Sequence, residues 1–155
     1  MSNEIVEGSF KDIPLNCRFE IIKKRIGSLT KRFILDGAHN AEAFLVLVEN
    51  LKFFKIDEPV LIFSILSTKK CDEITDIIVN SGVFKRIVVT EIKNPKKENV
   101  YRIADMISAK SSSIDVTVID DLEVAIRYAC SFSDNICISG SFYLASDALK
   151  IIKSF

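Results

Sequence analysis

The chain has 155 residues, 48% hydrophobic and 27% charged, with 21 basic and 21 acidic side chains. That length is most simply one domain, able to bury roughly 70% of its unfolded-chain surface. The zero net charge advertises neither a nucleic-acid nor a membrane partner, and no apolar stretch approaches the roughly 20 residues of a membrane span. The N-terminus lacks a basic-then-apolar signal pattern, so a cytoplasmic location is expected. Cys17, Cys71, Cys130 and Cys137 form no CxxC pair and, with the single histidine, offer no metal-ligand spacing. Reduced and mostly buried thiols are the expectation.

Residues 1 to 16 lack periodicity and read as a linker or tail. "CRFEIIKK" (Cys17 to Lys24) is a strand candidate, followed by a turn signal at Gly27-Ser28 and a second strand through Phe33 to Leu35. Too few residues separate the two for a crossover helix, so the pair should be an antiparallel hairpin. Phe44, Leu47, Val48 and Leu51 repeat on one helical face. "PVLIFSIL" (Pro59 to Leu66) is a buried strand; Ile74, Ile77 and Ile78 mark a helix that Gly82 is placed to stop. "RIVVT" (Arg86 to Thr90) is the next strand, and Val100, Ile103, Ala104 and Ile107 share the next helical face. "IDVTVI" (Ile114 to Ile119) precedes a helix on Leu122, Ala125, Ile126 and Ala129, capped by Asp120 or Asp121. "NICISG" (Asn135 to Gly140) and a helix through Leu144, Ala148, Ile151 and Ile152 close the chain. Repeated strand–helix alternation with continuous apolar strands predicts an α/β fold: a three-layer, Rossmann-like, mostly parallel six-stranded sheet with helices on both faces and an antiparallel N-terminal edge.

In such sheets ligands gather at the carboxyl ends of strands, where helices begin with free N–H groups. The string Asp36-Gly37-Ala38-His39-Asn40 falls at such a place. Asp36 can accept bonds from sugar hydroxyls or cap a backbone. Gly37 permits a positive φ or the close approach of a ligand. Asn40 is a good N-cap, and His39 can offer a donor toward phosphate. Local caps beside a partly exposed histidine would account for the same residues.

"ILDGAHNAEA" resembles the LDGAHNPxA signature of folylpolyglutamate synthase/dihydrofolate synthase, in the Mur ligase family. Four further segments, in the family's order, are similar. They are "NCRFEII" with Arg18 and Glu20, "VLIFSILSTKK" with Ser67 and Lys69, "IVVTEIKNPKK", and "ICISGSFYLASDAL". Together they span residues 17 to 150, which identifies 17 to 155 as resembling that family's C-terminal, glutamate ligase domain. Thr68 and Lys70 stand where the family has acids, Ala41 where it has proline, and Lys96 where it has arginine. No G-x-x-x-x-G-K-[ST] string occurs, so the N-terminal P-loop ATPase domain that holds ATP and Mg2+ is expected to lie outside this chain, in cis or in trans.

The resemblance implies an ATP-dependent ligase that joins L-glutamate to dihydropteroate or a folate through an acyl phosphate, the isolated domain being inactive. It implies that Arg18, Asp36 and His39 bind nucleotide, that His39 and Asp36 serve catalysis, and that Ser141 lies near the incoming glutamate; it assigns this domain no metal ligand. Arg18 would face the phosphates or the base. Asp36 would bind the ribose or position cationic partners. His39 would approach the transferring group. A surface ion pair of Arg18 with Glu20, a plain cap at Ser141, a core place for Tyr143 and solvated Lys69 and Lys70 are the bland alternatives. Another Mur-type amino acid ligase, or a non-catalytic module docking on a separate ATPase half, are the rival functions.

Overall fold

The computed structural model describes residues 18–155; the expectations for residues 1 to 16 and for Cys17 fall outside it. The elements are β1 (Glu20–Ile26), β2 (Leu29–Asp36), α1 (Ala41–Phe53), β3 (Val60–Phe63), α2 (Cys71–Asn80), β4 (Arg86–Val89), α3 (Val100–Lys110), β5 (Asp115–Val118), α4 (Leu122–Cys130), β6 (Asn135–Ser139) and α5 (Phe142–Lys153). They build one six-stranded sheet in the order β1-β2-β6-β3-β4-β5. The β1–β2 pair is antiparallel, Glu20 facing Leu35 and Ile26 facing Leu29, while the other pairs are parallel. The expected mixed sheet with an antiparallel edge is therefore present.

Burial on both faces explains the apolar runs. All four residues of β3 and all five of β6 are buried. Ile34, Leu61, Phe63, Ile87 and Cys137 point to one core, sealed by Phe44 and Leu47 of α1, Ile74 and Ile78 of α2, and Ile103 and Ile107 of α3. Phe33, Leu35, Ile62, Val88 and Ile138 point to the other, sealed by Ala125, Ile126 and Ala129 of α4 and Leu144, Ala148 and Ile152 of α5. Phe33, Phe44 and Phe63 have no exposed surface, and each such side chain contributes roughly 1.5–3 kcal/mol by leaving water.

Some strand boundaries differ from those read in the sequence. β2 begins at Leu29 rather than Phe33, because pairing with β1 extends the strand through Thr30, Lys31 and Arg32. β3 stops at Phe63; Leu66 instead bridges to Lys97. Of the two caps expected for α4, Asp121 is the one observed, accepting from Val124 N at 3.0 Å. Cys71 and Cys137 are buried free thiols, and Cys130 is half-buried.

The strand order positions the site. β6 lies between β2 and β3, so α1, which connects those two strands, covers one face, while α5, leaving β6, covers the other. The segments leaving β2 and β6 diverge at the carboxyl edge, the crevice where such sheets hold ligands.

Candidate functional site

Two helix starts flank that crevice. Asn40 caps α1, its Oδ1 accepting Ala43 N at 2.8 Å. Ser141 caps α5, its Oγ accepting Tyr143 N at 3.0 Å. Each leaves first-turn N–H groups aimed outward, where negative charge is favoured.

Gly140 makes the turn from β6 into α5. Its φ is +119°, and a Cβ there would strike the Ser64 carbonyl, so both the backbone angle and the space call for glycine. Of the two uses read for Gly37, a positive φ is not the one adopted. Its requirement is spatial, because a Cβ would run into the Phe142 ring.

Between these turns lies a cleft of about 160 Å³, lined by His39, Leu66, Lys69, Ser141, Phe142 and Tyr143, with Gly140 at its base. His39 and Lys69 also line the adjoining groove with Thr68, Lys70 and Glu73. The His39 Nδ1 lies 2.9 Å from the Gly37 carbonyl. A carbonyl can only accept, so Nδ1 carries the proton and the neutral ring keeps a lone pair on Nε2.

Asp36 sits deeper. Its Oδ1 accepts Ala38 N at 2.8 Å and its Oδ2 accepts Phe19 N at 3.0 Å. Burial raises its pKa, opposed by those two backbone bonds and by the Arg18 charge. Phe19 has φ +50°, a conformation that is uncommon for a bulky residue. The carboxylate thus secures the turn that presents Arg18, which is exposed. Arg18 makes no ion pair with Glu20 among the described residues. Glu20 is only 8% exposed, and burial lifts its pKa from an ordinary 4.5 to about 7.

The geometry brings His39 and Ser141 to one cleft and ties Asp36 to Arg18's turn. Tyr143 is not a core residue: it is 54% exposed and stands at the cleft wall, because it falls on the outward side of α5's first turn. Lys70 is solvated, its side chain 81% exposed. Lys69, read with Lys70 as a solvated pair, is instead half-buried and lines the cleft with His39. Its position just past an apolar strand was the available signal. The Ser64 and Ser139 hydroxyls are fully buried at the ends of β3 and β6 without a hydrogen-bond partner among the described residues.

The model of the family described as Mur ligase, glutamate ligase domain, matches residues 17–142. The chain belongs to this family. Among solved structures the domain is similar to folylpolyglutamate synthase from Thermotoga maritima, at 30% identity and a TM-score of 0.75, over 88% of this chain. It is similar in fold to Mycobacterium tuberculosis folylpolyglutamate synthase complexed with ADP, at 24% identity and a TM-score of 0.75, over 87% of this chain and 32% of that one. A bifunctional folylpolyglutamate synthase/dihydrofolate synthase with Mn, AMPPNP and L-glutamate bound shares the fold at 20% identity and a TM-score of 0.71, over 89% of this chain and 32% of that one. The chain spans 30% of the Thermotoga maritima synthase. No curated protein matches it. Among the described residues, no helix is long and apolar enough to cross a membrane.

Proposed function

We propose that this domain is the glutamate ligase portion of an ATP-dependent enzyme that joins L-glutamate to dihydropteroate or a folate. The convergence of His39, Lys69 and Ser141 on one cleft, beside the turn that Asp36 secures, carries this reading. In the reaction a substrate carboxylate takes the terminal phosphoryl group of ATP, releasing ADP. The amine of glutamate then attacks the acyl carbon; phosphate departs, an amide forms, and the amine sheds a proton.

Arg18 meets the nucleotide, its exposed guanidinium suited to paired phosphate contacts. Asp36 holds Arg18 and the His39 loop in register, and the lone pairs its oxygens retain can accept a ribose hydroxyl. His39 approaches the transferring group. Lys69 and the first turn of α5 at Ser141 receive a carboxylate of glutamate, while Leu66 and Tyr143 flank its methylenes. Magnesium and the triphosphate rest mainly on a P-loop ATPase domain in cis or in trans. Among the described residues no group of three or more His, Cys, Asp and Glu side chains is arranged to hold a metal ion. Closure over the P-loop domain would exclude water from an acyl phosphate that hydrolyses readily.

Joined to a P-loop ATPase domain, the chain should support phosphate release that depends on both glutamate and a pteroate or folate acceptor. The purified chain alone should give none. His39→Ala and Arg18→Ala should each lower the coupled rate at least roughly tenfold, the order expected for an acid–base or phosphate-contacting group. A rate indifferent to glutamate, or one surviving both substitutions, contradicts the reading. A panel of amino acids and acceptor carboxylates separates it from other Mur-type ligases.

A further inference from the structure

We propose that Phe142 is a positioning residue for His39, fixing the plane of the imidazole and thereby which ring nitrogen meets the ligand. The inference rests on the reading of His39 as a ligand-facing group.

Phe142 is the first residue of α5, an element that leaves a different strand from the one preceding His39. Its ring centre lies 5.6 Å from that of His39, at an interplanar angle of 56°. The same ring lies so close over Gly37 that no β-carbon fits between them. Phe142 therefore touches both members of the Nδ1–Gly37 carbonyl bond, the imidazole on one side and the peptide that supplies the acceptor on the other. A half-turn of the imidazole would put a carbon where Nδ1 now meets the carbonyl, and that bond would be lost. The tilted packing of two rings favours one plane over others.

The consequence is chemical. With Nδ1 committed to the Gly37 carbonyl, Nε2 has no hydrogen-bond partner among the described residues and is the ring nitrogen left for a ligand in the cleft that His39 lines. A neutral His39 then presents an acceptor to the ligand, able to take the proton that an attacking amine sheds as its C–N bond forms. Only the imidazolium would present a donor to an anionic oxygen. Without the ring of Phe142, the orientation that makes this assignment is no longer enforced.

Because His39 is the chain's one histidine, a histidine-labelled sample gives a single pair of ring-nitrogen signals. Nitrogen NMR of the neutral imidazole, at alkaline pH, reads the tautomer in the chain alone. The wild type should show the Nδ1-protonated form dominant. Phe142→Ala should lose that dominance and give a mixture, and Phe142→Tyr, which keeps the ring, should retain it. Phe142→Leu, which keeps apolar bulk over Gly37, should also lose it and serves if the alanine variant does not fold. An unchanged tautomer in a folded alanine or leucine variant overturns the proposal, as does its loss in Phe142→Tyr. The measurement needs no ligand, so it fails or succeeds separately from glutamate-dependent phosphate release, which tests the role of His39 itself.

Discussion

The carboxylate of Asp36 grips the backbone N–H of Phe19, 17 residues earlier in the chain, at 3.0 Å. One side chain at the end of β2 thus holds a left-handed turn at the start of β1 while its other oxygen holds Ala38. Asp36→Ala should cost about 2–3 kcal/mol, from two charge-assisted bonds and two amides left unpaired. Amide exchange at Phe19 and Ala38 should accelerate more than in the core strands. Unchanged protection at both amides would show that the carboxylate does not hold the turn.

Glu20 predicts an unusual pH response. Its folded pKa, about 7, lies above the ordinary 4.5, so the folded state binds the proton more tightly than the unfolded chain does. The stabilisation is fully present below 4.5 and is lost as pH rises through about 7. Burial pushes Asp36 in the same direction. Glu20→Gln should therefore be nearly neutral below the unfolded pKa and stabilising by about 1–3 kcal/mol at mildly alkaline pH. Denaturant melts across that range check the sign, and a variant equally stable relative to wild type throughout would refute it.

The two glycines should respond differently. Gly140→Ala meets both a forbidding backbone angle and the fixed Ser64 carbonyl, so a loss of about 2–4 kcal/mol is expected. Gly37→Ala meets only the Phe142 ring. Combining it with Phe142→Ala should recover a measurable part of the loss, whereas Gly140→Ala should gain nothing from the same partner. Additive losses for the Gly37 pair in a double-mutant cycle would argue against the contact.

Ser64 and Ser139 bury hydroxyls without partners among the described residues. Replacing either by alanine should be neutral or stabilising by up to about 1 kcal/mol, since an unsatisfied polar group is removed. A clear loss in thermal melts would reveal a hydrogen bond that the fold alone does not supply.

The central strands were legible because β3 and β6 are covered on both faces, which forces uninterrupted apolar runs. The start of β2 was not: Thr30, Lys31 and Arg32 are polar, and only pairing with β1 makes them strand. The loop from Asp36 to Asn40 announced itself through residue types that belong at a strand-to-helix corner. What the corner is packed against could not be read locally. Phe142 reaches His39 from another strand's helix, Lys69 arrives from a third segment, and Gly37 is needed by a ring more than 100 residues away. Tyr143 looked like core by type, yet its place on α5 turns it outward.

The reversed direction of β1 has a mechanical consequence. Its first described residues lie at the rim where the parallel strands finish, so a pull on Arg18 loads the Asp36–Phe19 bond and the His39 loop before it reaches the far edge of the sheet.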